Sequence, residues 1–591
     1  MIKLHKTALI LVFSFLLAVI CSSVLFAQET LTKYNTSWAT VLPGTVICEP
    51  QETSYGFCLA TDARTATGFS KTGTELWHSP IGRSRNISLT VLKDDFILLH
   101  EKNDNILKLL NPSGTELWHN SLSFVPREKP FIGRDGRFFL CSENQIICYG
   151  INGKIRWKME TSQQKNIPLQ ELPDGTIIVF LNDKEGKTKG IRFSPFGKQL
   201  EHITFAGSIT MAWSCNSGIL LTFNDGSAGL FSVEDDKAKN KWVIPSKNTN
   251  SIFTVSVDKT AFLYLTFGQN SIFVNHLSSF DGSIQSTYEL KGFQKAQLQK
   301  IYFNDTGLFL CDRQNAFLYM DGKELWSARM PQTNQQDYNY LINLKDNTFI
   351  FCNKDWSMNA FKMADKTAAA SQKNSASQKT AAAGKKNSYS NLISKDPSLE
   401  FALEYQKQFG SEFVDESITK KIKNNAYSGD ECEVIAPVIN ICAIYASKLS
   451  TNSFGARSEP SIFELDRPGF EKILYQLSFI CTDDSQNLAA SIIKKSQKND
   501  CRYLISCLQG YDPDGLLLEA LEIKSGLINH KDFGSLTAIC DAVYEICRFM
   551  GRPAYNTRGK LIIKNFMSAN YDSSSRNYAR ETLQKILSLN L

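Results

Sequence analysis

The sequence predicts a multidomain chain, an all-β propeller of eight blades followed by an all-α helical-repeat domain, on three observations. A Gly-x-x-x-Trp motif returns about every 40 residues as far as Trp326. Short apolar runs bounded by turn formers keep the same beat. Beyond Met363 both patterns stop, and apolar residues recur at spacings of three and four. Alternation and short β-branched runs mark strands, whereas spacings of three and four mark helices.

The first element is an export segment. Lys3 and Lys6 precede an uncharged run over residues 8–27. A basic start followed by an apolar stretch is the pattern of a secretory signal. Residues 1–27 are therefore read as a signal peptide, with cleavage after Ala27 leaving Gln28 as the new end. Two alternatives stay open. The run is long enough to span a bilayer uncleaved. Cys21 is a candidate for lipidation, although Ile20 is bulky where lipoprotein signals want a small residue. Each reading places the protein outside the cytoplasm, periplasmic or extracellular and associated with the cell envelope, and touching membrane only through that anchor or lipid.

The repeat follows. Thr72-Gly-Thr-Glu-Leu-Trp77 returns as Ser113-Gly-Thr-Glu-Leu-Trp118, as Asn152-Gly-Lys-Ile-Arg-Trp157 and as Asp321-Gly-Lys-Glu-Leu-Trp326. Weaker copies end at Glu201, Trp242 and Ser286. The positions 77, 118, 157, 201, 242, 286 and 326 are separated by 41, 39, 44, 41, 44 and 40 residues. The second motif is a buried strand after a turn, as in Gly136-Arg-Phe-Phe-Leu-Cys141, Gly175-Thr-Ile-Ile-Val-Phe180 and Asn347-Thr-Phe-Ile-Phe-Cys352. About four strands fit in each unit, which is the size of a propeller blade. One blade cannot bury both faces, but a closed ring of blades can.

A tryptophan at one fixed place per blade reads as a docking residue filling the gap between neighbouring sheets. Trp38, Trp77, Trp118, Trp157, Trp242 and Trp326 are assigned that role. Trp38 lies 39 residues before Trp77, in phase, but has no strands before it. At the other end, residues 341–363 supply inner strands and no outer one. The N-terminal segment is expected to complete that last blade and close the ring, removing exposed edges. This gives eight blades over residues 34–363, with seven as the alternative count.

Residues 364–392 are mostly Ala, Ser, Lys, Gln and Thr and have almost nothing to bury, so they read as a flexible linker. Residues 393–591 form the helical domain. Its apolar stripes include Val434, Val438, Ile441, Cys442 and Tyr445, then Phe470, Ile473, Leu474, Leu477 and Ile480. Asp483-Asp-Ser-Gln486 resembles a capping box for a helix running to Lys495. Further helices are expected over 500–509, 514–525, 534–549, 555–568 and 574–589. Paired helices every 35 to 45 residues resemble HEAT-type units, with an irregular bundle as the alternative.

Candidate chemistry is sparse. A net charge of +6 over 591 residues, without a basic stripe on a folded segment, argues against nucleic acid as a partner. The 15 cysteines include no CxxC, which argues against zinc and thioredoxin-like chemistry. Cys48 with Cys58, and Cys141 with Cys148, are close enough in sequence to face each other across hairpins. His78, His119 and His202 hold equivalent places in different blades, too far apart around a rim to share a metal. Asp512-Pro-Asp-Gly515 lacks the later ligands of a calcium loop and reads as a turn and helix start. No catalytic triad, phosphate loop or zinc-protease motif is found.

The Gly-x-x-x-Trp beat over residues 34–363 resembles the quinoprotein-like family of eight-bladed propellers. One branch of that family binds pyrroloquinoline quinone with calcium and oxidises alcohols or sugars. Its alcohol dehydrogenases commonly carry adjacent cysteines over the cofactor, and this chain has none. The other branch includes outer-membrane assembly lipoproteins of the BamB kind, which are cofactor-free scaffolds for partner proteins. The chain resembles the second branch more closely, although the helical extension departs from it. The resemblance implies a non-catalytic envelope scaffold with protein partners, no cofactor and no catalytic residue. A quinoprotein-type oxidoreductase, and a propeller binding a small ligand or glycan, are the alternatives.

Overall fold

The computed structural model describes residues 34–363 apart from short loop stretches, of which 161–168 and 330–339 are the longest, a few positions between 438 and 446, and residues 467–589 apart from 497–500. The expected signal peptide (1–27), the linker (364–392) and residues 393–437 of the helical domain lie outside the described residues.

Eight four-stranded antiparallel sheets make the ring. Blades 1 to 7 occupy 51–80, 87–121, 131–160, 170–205, 209–244, 251–291 and 300–329. Each runs from an inner strand to an outer one in chain order. Blade 8 is the exception. Its three inner strands come from 340–363, and its outer strand is β1 (Tyr34–Val41) from the far end of the sequence. Tyr34 pairs with Met363 and Val41 with Ser357. The count is eight, and the N-terminal strand closes the ring.

Burial explains the strand composition. The second strand of each blade is covered on both faces by neighbouring sheets, so it loses polar alternation. Gly56–Thr61 and Thr348–Cys352 are buried at every position. Outer strands alternate, as in Glu75–Pro80, where Trp77 and Ser79 point inward and their neighbours outward. Blade 4 departs from the repeat. Its outer strand is shortened to Ile203–Phe205, so Glu201 and His202, in phase with Trp77 and His78, lie exposed just before it.

Seven helices follow among the described residues: α1 (Arg467–Ile480), α2 (Asp483–Lys495), α3 (Cys501–Ser506), α4 (Leu516–Ser525), α5 (Phe533–Met550), α6 (Pro553–Asn565) and α7 (Ser573–Leu587). From α3 onward, each begins and ends within three residues of its expected bounds. The capping box at α2 sits one residue earlier than expected. Thr482 is the N-cap, and its hydroxyl accepts from the Ser485 N–H while Ser485 Oγ accepts from the Thr482 N–H. The threonine hydroxyl, on its short arm, outcompetes Asp483, whose carboxylate is engaged elsewhere. At α4 the Asp512 carboxylate accepts from the Leu517 and Leu518 N–H groups, 3.0 and 2.9 Å away, so the Asp-Pro-Asp-Gly segment is a turn and helix start.

The cysteine pairing does not follow sequence proximity. Register sets Cys141 opposite Ile146 and Cys148 opposite Phe139, so these two do not face each other. Cys48 and Cys58 share one buried cluster as thiols. Burial pushes Cys48 up to about 12 and Cys58 further, which leaves both as poor nucleophiles.

Candidate functional site: blade seams, a docked helical region and a channel cavity

The in-phase tryptophans lie over glycines of the following blade. Trp38 faces Gly73, Trp77 faces Gly114, Trp118 faces Gly153, Trp157 faces Gly197 and Trp242 faces Gly282. Those glycines have φ between +70° and +87°, a region that L-residues with a Cβ avoid. They also leave no room. A Cβ on Gly153 would stand 2.7 Å from Trp118 Cδ2. The indole N–H groups of Trp38 and Trp118 donate to the carbonyls of Lys71 and Ile151, each at 2.9 Å and two residues before the facing glycine. Trp326 lies opposite Leu318 on the outer strand of blade 7, with its side chain outside the described residues. In blade 6, whose copy ends on Ser286, the ring of Tyr288 faces Gly322 instead.

A β-bulge accompanies this arrangement. In seven blades the outer strand skips one residue immediately before the Trp-equivalent position: Ser37, Leu76, Leu117, Arg156, Lys241, Gln285 and Leu325; blade 4 takes up the same extra residue between Gln199 and Ile203. A bulge bends a strand and re-aims the side chains beside it. Leucine is the commonest residue at this position, and blade 3 has Arg156 in its place.

Arg156 is where the helical region meets the propeller. Its Nη2 donates to the Ile480 carbonyl at the end of α1, 2.8 Å away. The Asn152 amide donates to the Phe479 carbonyl at 3.0 Å, and Asn111 of blade 2 donates to the Arg548 carbonyl near the end of α5 at 2.9 Å. The last carbonyls of a helix have no partner within it, so propeller donors satisfy two helix ends. Arg552 donates to the Asp94 carbonyl at 2.7 Å, and Lys93 bonds to the Asp483 carboxylate. Phe96 packs on Tyr511 and Phe549, with centroids 6.1 and 5.5 Å apart. One apolar cluster runs from Phe96, Leu109, Phe138 and Ile151 of blades 2 and 3 into Leu477, Leu504, Tyr511 and Met550.

The junction is charged as well as apolar. Asp135 lies between two arginines, with Arg137 Nε at 2.7 Å and Arg156 Nη1 at 3.5 Å. Burial opposes its ionisation, but the two guanidinium groups hold its carboxyl below the usual range. Arg137 also donates to Glu171 of blade 4 at 2.9 Å, tying two blades together. Burial, with the Asp135 and Asp483 carboxylates nearby, pushes Asp484 up to about 7. Burial pushes Asp512 up to about 6 against its two backbone donors.

All these contacts lie on one face of the ring. They use the hairpins that follow the inner and third strands of blades 2 and 3, at 92–96, 111–115, 133–137 and 150–154. The opposite face carries a cavity of about 460 Å³ at the channel. Its walls are the inner strands of blades 5, 6 and 7 and the hairpin after the second strand of blade 5, with Met211, Trp213, Phe223, Phe253 and Ile301 as apolar lining. The Thr210 and Thr222 hydroxyls in its wall bond each other at 2.7 Å.

The histidines do not converge. His78 and His119 are exposed on different blades, and each bonds a glutamate of its own strand, Glu75 at 2.9 Å and Glu116 at 2.7 Å. Among the described residues no group of three or more His, Cys, Asp or Glu is arranged to hold a metal ion, and no helix is long and apolar enough to cross a membrane. The cap position of α2, the bulge residue Arg156 and the stand-in Tyr288 escape a reading of the sequence. Only Arg156 leaves a signal, as an arginine where the other three of the four best copies carry leucine.

No protein-family model matches the chain, and no curated protein does. Among solved structures the chain is similar to BamB from Moraxella catarrhalis, at 12% identity and a TM-score of 0.41, covering 56% of this chain and 98% of that one. It is similar to Sqt1 from Saccharomyces cerevisiae, at 11% identity and a TM-score of 0.40, covering 56% and 98%. It is also similar to a streptogramin B lyase, at 12% identity and a TM-score of 0.33, covering 56% and 99%.

Proposed function

We propose that the chain is a non-catalytic scaffold of the cell envelope, exported by its N-terminal segment, in which a propeller and a helical region together bind partner proteins. The observation that carries this reading is the junction. Arg156, which breaks the repeat, and Asn152 in blade 3 and Asn111 in blade 2 donate to carbonyls of the helical region. A shared apolar cluster backs them. Polar side chains of blades 2 and 3 thus serve assembly within the chain. The helical region occupies one face, and the other keeps a channel mouth open to a partner. In this reading the tryptophans at 38, 77, 118, 157, 242 and 326 dock blade on blade, and the helices stack as HEAT-type units that offer a second surface.

The test has two arms. Purified protein is mixed with pyrroloquinoline quinone and calcium and followed by thermal unfolding and dye-linked oxidation. The scaffold reading expects no shift and no turnover. Chemical crosslinking in intact envelopes, followed by purification through a C-terminal tag, is expected to return the same partner protein in repeated preparations. A quinone-dependent shift of several degrees with alcohol or sugar oxidation overturns the reading, because a ligand that binds only the folded state raises its melting temperature.

A further inference from the structure

Six of the eight tryptophans belong to the repeat. The two that do not, Trp213 and Trp356, both lie on the face opposite the helical region. Trp213 is in the wall of the channel cavity. Trp356 is in the hairpin between the second and third strands of blade 8, half exposed, with φ +68°. A non-glycine residue in that region costs conformational energy, and such residues gather at binding surfaces. Its indole N–H donates to Thr45 Oγ1 at 3.1 Å, which fixes the ring at the surface. Beside it Val41 is 75% exposed.

We propose that the cavity bounded by blades 5, 6 and 7 binds an uncharged, apolar stretch of a partner polypeptide. This rests on the scaffold reading above and names the chemistry of the partner. The volume, about 460 Å³, suits two or three bulky side chains. The lining includes Met211, 42% exposed, and Trp213, Phe223, Ile252, Phe253 and Ile301, with no charged side chain among the described residues. The nearest carboxylate in sequence, Asp225, turns to the N–H and hydroxyl of Ser227 at 2.8 and 2.6 Å. A sugar would need hydrogen-bonding groups to replace the water it loses. Four polar side chains line the cavity, Thr210, Thr222, Asn224 and Thr254; Thr210 and Thr222 already bond each other, and Thr210 also donates to the Thr222 carbonyl at 3.2 Å, which leaves two for a sugar. An exposed methionine is an adaptable wall for varied apolar side chains, and tryptophan is an anchor residue of protein interfaces.

The test uses the full chain from residue 28 and a synthetic array of capped, charge-free nonapeptides. Their three central positions run through Leu, Phe, Trp, Met, Ile and Ser, and each peptide has a counterpart with Lys or Glu at the centre. The expected result is retention of peptides with bulky apolar centres, about tenfold or more over their charged counterparts. Met211→Lys, a change at an exposed position, removes that retention without lowering the melting temperature, and Trp213→Phe abolishes the fluorescence change on binding. Equal retention of charged and apolar centres overturns the proposal, and so does binding of a neutral oligosaccharide such as chitotriose in place of the peptides. Should envelope crosslinking still return the same partner from the Met211→Lys chain, the scaffold reading stands and the cavity assignment falls.

Discussion

Arg156 of blade 3 and the carbonyl of Ile480 in α1 are 324 residues apart in the chain and 2.8 Å apart in space. The arginine sits at the bulged position of its outer strand, where blades 1, 2 and 7 have leucine. The bulge re-aims it, and burial makes its bond to the helix end valuable, because the carbonyl has no partner within its helix.

Replacing Arg156 by leucine restores the repeat but removes that donor and one of two cations beside Asp135. A hydrogen bond involving a charged group contributes about 2 kcal/mol. The expected result is faster amide exchange over residues 467–495, with exchange in blades 5 to 7 unchanged, followed by hydrogen exchange and mass spectrometry.

The junction also predicts a pH dependence with a definite sign. The Asp484 carboxyl is pushed up to about 7 by burial and by the Asp135 and Asp483 carboxylates, while Lys93 and Arg137 pull the other way. In the unfolded chain it titrates at about 4. Between those values the folded state holds a proton that the unfolded state has released, so stability is greatest on the acid side and falls as pH rises towards 7. Asp512, pushed up to about 6, acts in the same direction. Urea unfolding of the helical region should show a midpoint that declines from pH 5 to pH 7.5, and Asp484→Asn should flatten most of that slope.

The seam glycines separate two costs. Gly153 has φ +75° and lies under the Trp118 ring, whereas Gly186 has φ +82° and nothing within 4 Å of the place its Cβ would take. Alanine at Gly186 should cost about 1 kcal/mol for the backbone alone. Alanine at Gly153 should add an overpacking cost of about 1–3 kcal/mol. Thermal unfolding of the two variants measures the difference, and equal losses would remove the seam contact from the account.

Ring closure is testable by deletion. Without residues 28–41 the third strand of blade 8 (Ser357–Met363) loses its outer partner, and unpaired edges recruit other chains. The truncated protein should elute as soluble aggregates and lose cooperative unfolding.

Much of this fold is legible because the repeat is covalent. The 40-residue spacing sets blade size, and Trp38 standing one step ahead of Trp77 points to the closure. The seam glycines are legible too, since a left-handed turn and a tight contact both demand the same residue. What stays hidden depends on tertiary partners. Nothing around Thr482 tells it apart as the cap until Asp483 is seen bonded to Lys93 and Tyr511. Tyr288 takes the place of a tryptophan two positions from the repeat phase, which no spacing rule finds. The cavity joins residues of three blades between Thr210 and Ile301, and of these only Thr222 and Phe223 belong to a repeated motif, the buried strand.

The central claim is that the open face, opposite the docked helices, receives a protein partner. Its most direct test is photo-crosslinking in living cells, with benzoylphenylalanine placed singly at Met211, Trp356 and Phe280. The first two lie on the open face, and Phe280, 87% exposed, lies on the helix-bearing face in blade 6. The account predicts one discrete protein adduct from Met211 and Trp356 and none of that mass from Phe280. An adduct from Phe280 alone, or none from any of the three, contradicts it.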